Sequence, residues 1–198
     1  MTRNLQAVGI ILAGLFIIYL NPLLASQTVD KSRNYSLQEV QKVLKAIAQM
    51  KREQFRADKD VLKKVAVTES ELNSYIAYRI EVQKEEVMRE LQLKLFPENR
   101  IEGRVLIDLE GQKLPKYLKP VMTFYFSGEV KVKDQKVKLE IKDLFLEGQR
   151  IQPMVLDLII YIASKIENTE ATSIDDWYDL PYGIKNIVTE KGKATFYY

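Results

Sequence analysis

The chain has 198 residues but no cysteine and no histidine. Without cysteine it cannot form disulfides, thiolate zinc sites, iron–sulfur ligation or a cysteine nucleophile. Without histidine it lacks the commonest general base and metal ligand, which excludes Ser-His-Asp triads and histidine-ligated zinc. The glycine spacings of dinucleotide and P-loop sites are also missing. The composition therefore predicts a protein that is not an enzyme, with no metal and no cofactor.

An excess of charge of one sign is also lacking, since 30 Lys and Arg face 27 Asp and Glu, a formal net charge of +3. Proteins that bind nucleic acid by neutralising phosphates need a larger basic excess. We therefore expect no nucleic-acid partner.

One segment is locally basic, because residues 113–142 hold eight lysines against three acids. At its start, Lys113, Lys116 and Lys119 are candidates to hold an anionic lipid headgroup. The alternative is structural, because alternating strand lysines also solubilise a sheet face and protect an edge strand.

Residues 7–20 form an uncharged apolar run that resumes after Asn21 and Pro22 and reaches Ala25. Roughly 19 residues can just cross a ~30 Å hydrocarbon core as a helix, whereas cleaved signal peptides usually have a shorter apolar core. Residues 1–29 are thus an uncleaved anchor or a cleaved signal peptide. We expect the following domain outside the cytoplasm, held to the membrane through residues 7–25 or secreted after cleavage.

The remaining chain predicts an α+β fold. Two capping-box spacings, in which Ser or Thr precedes Glu by three residues, begin helical repeats of apolar residues. They predict helices over residues 37–56 and 69–80. The first is an amphipathic helix that occupies residues 30–60 with its linker, and the main α+β domain covers residues 61–198.

From residue 86 the apolar period changes from 3.6 to 2, which is typical of strands. Two antiparallel hairpins are predicted, with turns at Pro97-Glu98-Asn99 and Lys133-Asp134-Gln135-Lys136. A slip in the apolar parity near Asp143 predicts a β-bulge that bends the sheet. A last hairpin should turn at Lys191-Gly192.

Residues 153–166 predict a helix, and Asp157 is the one charge in its first eleven residues. A helix that is apolar almost all round is expected to be buried on every side. The predicted fold is therefore a curved antiparallel sheet wrapped around a buried helix. Such a fold has either a filled core or an apolar groove for a lipid chain. The predicted lining of that groove is Leu72, Ile76, Met122, Phe124, Phe126, Met154, Leu158, Tyr161 and Ile162.

Three short segments carry a resemblance to a known family. They are the run from Val67 to Ile76, the Gly128-Glu129-Val130 hairpin that continues through Leu144-Phe145-Leu146-Glu147-Gly148 to Pro153, and Leu180-Pro181-Tyr182-Gly183-Ile184. Together they resemble small exported bacterial proteins of the tubular lipid-binding (TULIP-like) type, over about residues 63–198. The resemblance implies a long curved sheet on a helix, with an apolar groove for lipid or isoprenoid chains, in an envelope compartment. It supplies no catalytic residue.

The expected function is that of an extracytoplasmic, membrane-tethered lipid-binding or lipid-carrier protein without catalysis. Transfer of acyl chains from the bilayer would be driven by about 0.8 kcal/mol per buried CH₂ group. The alternative is an anchored envelope assembly or scaffold module, whose first helix and sheet face bind a protein that the sequence does not identify.

Overall fold

A computed structural model describes residues 34–55, 61–85, 87–116, 118–166 and 172–198. The predicted anchor or signal peptide lies outside these residues. Within the described ranges, no helix is both long enough and apolar enough to cross a membrane.

The described ranges form three helices and nine strands. The helices are α1 (Leu37–Gln54), α2 (Glu69–Gln83) and α3 (Met154–Ile166). The strands are β1 (Lys64–Thr68), β2 (Met88–Leu95), β3 (Arg100–Asp108), β4 (Val121–Lys133), β5 (Lys136–Leu146), β6 (Gln149–Arg150), β7 (Tyr178–Asp179), β8 (Asn186–Glu190) and β9 (Lys193–Tyr197).

Side-chain caps fix where the first two helices begin, as their spacing predicted. The Ser36 hydroxyl accepts a hydrogen bond from the Glu39 N–H at 3.4 Å. At α2 the capping box is complete, because Thr68 accepts from the Glu71 N–H while the Glu71 carboxylate accepts from the Thr68 N–H. Helix α2 continues three residues beyond the prediction to Gln83 and is capped by Lys84, whose φ of 53° is left-handed.

The larger sheet is antiparallel, with the order β2-β3-β4-β5-β6 and with β7 paired to β5. It is strongly curled into a half-barrel, which confirms the α+β class and the curved sheet. Ser127 pairs with Asp143 whereas Gly128 pairs with Ile141, so Lys142 is an extra residue and the predicted bulge is confirmed. Strands β1, β9 and β8 form a second, three-stranded sheet.

Gly103 makes room for an aromatic ring on the concave side of the larger sheet. It pairs with Phe126 across β3 and β4, and a Cβ atom at Gly103 would lie 2.2 Å from the Cζ atom of that ring. Any side chain at position 103 must therefore push the ring out of its place.

We predict that Gly103→Ala lowers the free energy of unfolding by about 1–3 kcal/mol, because it overpacks the core. Denaturant unfolding measures the loss. In a Phe126→Leu background the same substitution should cost clearly less, because the ring that it displaces is gone. Equal losses in the two backgrounds would contradict this contact.

Helix α3 lies across the concave side of the half-barrel and is buried on one face. Ile159, Ile160 and Ala163 are buried, whereas Met154 is 78% exposed and Tyr161 is 51% exposed. The prediction that this helix is buried on every side is therefore wrong. An open sheet covers only the side of a helix that faces it, so the opposite side of α3 stays at the surface.

Helix α1 contributes to the same hydrophobic core as the strands. Val40, Val43 and Ile47 are buried in that core, and the Gln49 side chain donates to the Tyr198 hydroxyl at 2.9 Å. The amphipathic face that the sequence predicts is thus covered by the rest of the described chain.

Candidate lipid-contacting surface

The space between α3 and the larger sheet is filled by side chains. The cavity that remains there has a volume of about 20 Å³. A cavity of this size has room for about one water molecule. Its lining residues are Val105, Ile107, Phe124, Phe126, Ile141, Leu144, Leu156, Ile159, Ile160 and Ile174. In this conformation no acyl chain fits beneath the helix.

The predicted groove residues separate into two groups. Five of them belong to the buried core: Leu72, Ile76, Met122, Phe124 and Phe126. The other four lie on α3, and none of these four belongs to its buried face. The sequence-predicted lining is therefore not one continuous surface.

The second group forms the outer face of α3, defined here as Met154, Leu158, Tyr161 and Ile162. These positions recur at helical spacing. Leu158 and Ile162 are partly buried, whereas Met154 and Tyr161 are exposed. The Lys165 Nζ atom lies 5.3 Å from the centroid of the Tyr161 ring, a cation–π distance. The outer face is thus an apolar strip with a lysine at its C-terminal end.

Asp157 anchors α3 to the loop that follows the helix. One of its carboxylate oxygens accepts from the Ser173 hydroxyl and from the Ile174 N–H, both at 3.0 Å. From the sequence alone, Asp157 is only the one charged residue in an apolar stretch, and no pattern shows its hydrogen-bond partners. Its hydrogen bonds join α3 to Ile174, which lines the cavity between the inner face of the helix and the sheet.

The candidate headgroup lysines lie in the loop that joins β3 to β4. We call this side of the larger sheet the loop end: there β2 begins, β3 ends, β4 begins and β5 ends. The Lys119 Nζ atom lies 3.4 Å from the Glu147 carboxylate, which also accepts from the Thr123 N–H. That N–H, together with Lys119, lowers the pKa of Glu147, so the carboxylate stays charged beside the lysine.

Lys113 and Lys116 are exposed in the same loop. No described carboxylate forms an ion pair with either of them. Leu118 is buried between Lys116 and Lys119, and its N–H donates to the Pro115 carbonyl at 2.9 Å, so the loop is fixed to the core.

Most lysines in the strand part of the basic segment have acidic partners within the fold. The pairs are Lys131 with Glu129, Lys136 with Asp179, Lys138 with Asp175 and Lys142 with Glu140. Exposed pairs like these add little stability, but they neutralise charge locally. The basic character that the sequence spreads over residues 113–142 is therefore available to an outside anion mainly at the loop end.

The outer edge of β2 is bonded by side chains of α2 instead of another strand. The Asn73 amide donates to the Leu93 carbonyl and accepts from the Leu93 N–H, both at 2.8 Å. The Glu69 carboxylate accepts from the Leu95 N–H at 2.7 Å. These bonds satisfy backbone groups that would otherwise make β2 a template for pairing with another chain. The sequence analysis did not predict that Asn73 closes the edge of β2. The only signal was that this polar residue follows Leu72, which is buried.

A glutamate and three serines join α1 to α2. The Glu39 carboxylate accepts from the Ser74 hydroxyl at 2.5 Å and from the Ser70 hydroxyl at 2.7 Å, while the Ser36 N–H donates to Ser74. The hydrogen bond from Ser74, then that from Ser70, lowers the pKa of Glu39. A carboxylate held ionised in this way links two helices and is poorly suited to donate a proton.

Within the part of the chain that the structure describes, no cluster of three or more acidic residues could hold a metal ion. The chain matches no protein-family model, no curated protein and no solved structure. The likeness to the TULIP-like type therefore rests on the sequence segments alone.

Proposed function

We propose that this protein is an extracytoplasmic, membrane-tethered lipid-binding or lipid-carrier protein without catalysis. In this proposal the outer face of α3 contacts the acyl or isoprenoid chain. The observation that carries it is the exposure of Met154 at 78% and of Tyr161 at 51% on one face of a mostly apolar helix. Large apolar side chains that share one exposed face commonly mark a binding surface, and amphipathic helices bind lipid in this way.

The filled core favours the outer face over the space beneath the helix. A chain beneath α3 would have to displace buried side chains such as Ile159 and Ile160, which are 1% exposed. A chain on the outer face displaces only water, and each CH₂ group that it buries contributes about 0.8 kcal/mol. The four outer-face residues were already among the predicted lipid contacts, whereas the five core residues lie in the interior.

A single-cysteine label tests this contact, because the chain has no cysteine of its own. We would label Tyr161→Cys of the full chain with an environment-sensitive fluorophore in liposomes whose lipids carry a nitroxide on the acyl chain. We expect a blue-shifted emission and strong quenching, because the label should lie in an apolar, lipid-lined environment.

The matched control is Tyr125→Cys. Tyr125 is 47% exposed, close to Tyr161, but its neighbours Phe124 and Phe126 on β4 point to the concave side, so Tyr125 lies on the convex side. Its label should stay unquenched. If the label at position 161 is as little quenched as that at position 125, lipid contact at α3 is refuted. Protection of position 161 by a co-purifying protein would instead support the assembly module.

A further inference from the structure

We propose that the loop end of the larger sheet faces an anionic bilayer, with Lys113 and Lys116 bound to lipid headgroups. The proposal rests on the proposed function, because it takes residues 7–25 as an anchor in that bilayer. It adds the orientation of the domain and the chemistry of the lipid surface. Its support comes from the path of the chain, the charge of the loop and the position at which α3 begins.

The described chain begins beside α2 and, traced back from Ser36, which bonds Ser74, to Tyr35, which contacts Tyr78, it runs towards the loop end. Asn34 and Tyr35 line the concavity between α2 and β2 together with Arg89, and the Tyr35 ring lies 5.8 Å from that of Tyr78. The Arg89 guanidinium in turn forms a 3.0 Å ion pair with Asp108, the last residue of β3. The first described residues therefore point towards the side that carries the loop.

The connection to the predicted anchor is short. Eight residues separate Ala25 from Asn34, and eight residues span at most about 28 Å when fully extended. A domain on such a tether stays close to the bilayer, and its loop end is the side nearest to the attachment point.

The charge of the loop suits an anionic surface. Residues 109–120 contain three lysines and one acid, Glu110, which gives a net charge of +2. Since Lys119 is paired with Glu147, Lys113 and Lys116 are the cations that face outward. At the same end Val82 is 52% exposed and Val121 is 41% exposed, so apolar side chains accompany the lysines. Attraction to an anionic leaflet strengthens binding about fivefold per lysine near the surface.

Helix α3 also begins at this end. The Ile151 N–H donates to the Leu144 carbonyl at 2.9 Å, near the end of β5, and α3 starts three residues later at Met154. A lipid chain that leaves the bilayer at the loop end would therefore meet Met154 first. The orientation thus connects the bilayer surface to the outer face of α3.

The test uses the full chain in liposomes of phosphatidylcholine, with or without phosphatidylglycerol, that carry a nitroxide on the headgroup. Gln112→Cys, labelled with a fluorophore, reports on the exposed loop. The single tryptophan, Trp177, is the internal control, because its neighbour Tyr178 pairs with Val137 near the start of β5. Leu146, at the loop end, lies nine positions after Val137 along β5, a distance of roughly 30 Å. We expect the nitroxide to quench the loop label but not Trp177, and to do so only in vesicles that contain phosphatidylglycerol. This quenching should disappear at high salt.

The double variant Lys113→Gln and Lys116→Gln should lower the docking equilibrium constant about 10- to 30-fold in the anionic vesicles. Its matched control is Lys133→Gln with Lys136→Gln, which removes the same charge at the β4–β5 turn on the opposite end of the sheet. The control should change docking less than about twofold, because those lysines lie away from the headgroups.

Two results would overturn the orientation: a loop label that stays unquenched in anionic vesicles, or a control variant that weakens docking as much as the loop variant does. The label at position 161 separates this failure from that of the proposed function. If the acyl-chain nitroxide quenches the label at position 161 while the loop label stays unquenched, lipid binding is supported and the proposed orientation is wrong. If the loop label is quenched and position 161 is not, docking stands and lipid binding at α3 fails.

Discussion

Ile160→Asp is expected to lower the free energy of unfolding by more than about 4 kcal/mol. Ile160 is 1% exposed and lines the cavity beneath α3 together with Val105 and Phe124. The substitution removes apolar contacts and places a carboxylate without a partner among apolar side chains. Chemical denaturation of the full chain in mild detergent measures the loss.

Tyr161→Asp is the matched control, because it introduces the same group one residue later on the exposed side. We expect it to cost less than about 1 kcal/mol, since the carboxylate remains in water. The contrast tests the orientation of α3 directly. Similar losses at positions 160 and 161 would mean that the helix is enclosed on both sides, as the sequence alone suggested, and would remove the basis for lipid contact at its outer face.

Asn73→Ala is expected to cost about 2–4 kcal/mol, because it leaves both the N–H and the carbonyl of Leu93 without a partner. Those bonds are 2.8 Å long and partly buried, and they close the edge of β2. The amide of Leu93 should lose its protection from hydrogen exchange. The variant should also aggregate more readily, because an open strand edge can pair with a second chain.

Gln92→Ala is the control for this prediction. Gln92 is the exposed residue beside Leu93 on β2, and its truncation should change the stability by no more than about 0.5 kcal/mol. Unchanged exchange at Leu93 in Asn73→Ala would show that the α2 side chain does not close the edge.

The filled concave side changes how the two functional hypotheses compare. A groove between helix and sheet would have carried a lipid chain inside the fold, but only about 20 Å³ remains there. Lipid binding thus has to use the outside of α3 or displace the helix. In our proposal the lipid chain binds to the outer face, whereas the assembly module would bind a protein through the first helix and the sheet face.

The sequence by itself determined most of the secondary structure of this protein, because the signals are local. A Thr three residues before a Glu is a local signal for the start of a helix, so the start of α2 followed from Thr68 and Glu71. Alternating apolar residues and polar turns likewise placed the hairpins, and a slip of parity located the bulge beside Asp143. The lack of cysteine and histidine excluded disulfides, thiolate and histidine metal sites, cysteine nucleophiles and Ser-His-Asp triads without any reference to the fold.

Only the tertiary structure decided which sides of these elements meet. The sequence of α3 is apolar nearly all round, so its covered face depends on how far a sheet of distant strands curls. Residues 20 positions apart, Asn73 and Leu93, close the edge of β2, and no local pattern encodes that pairing. In the basic segment, most strand lysines have acidic partners, whereas Lys113 and Lys116 in the loop face solvent. The sequence could not show this division, because long-range folding places the acidic partners.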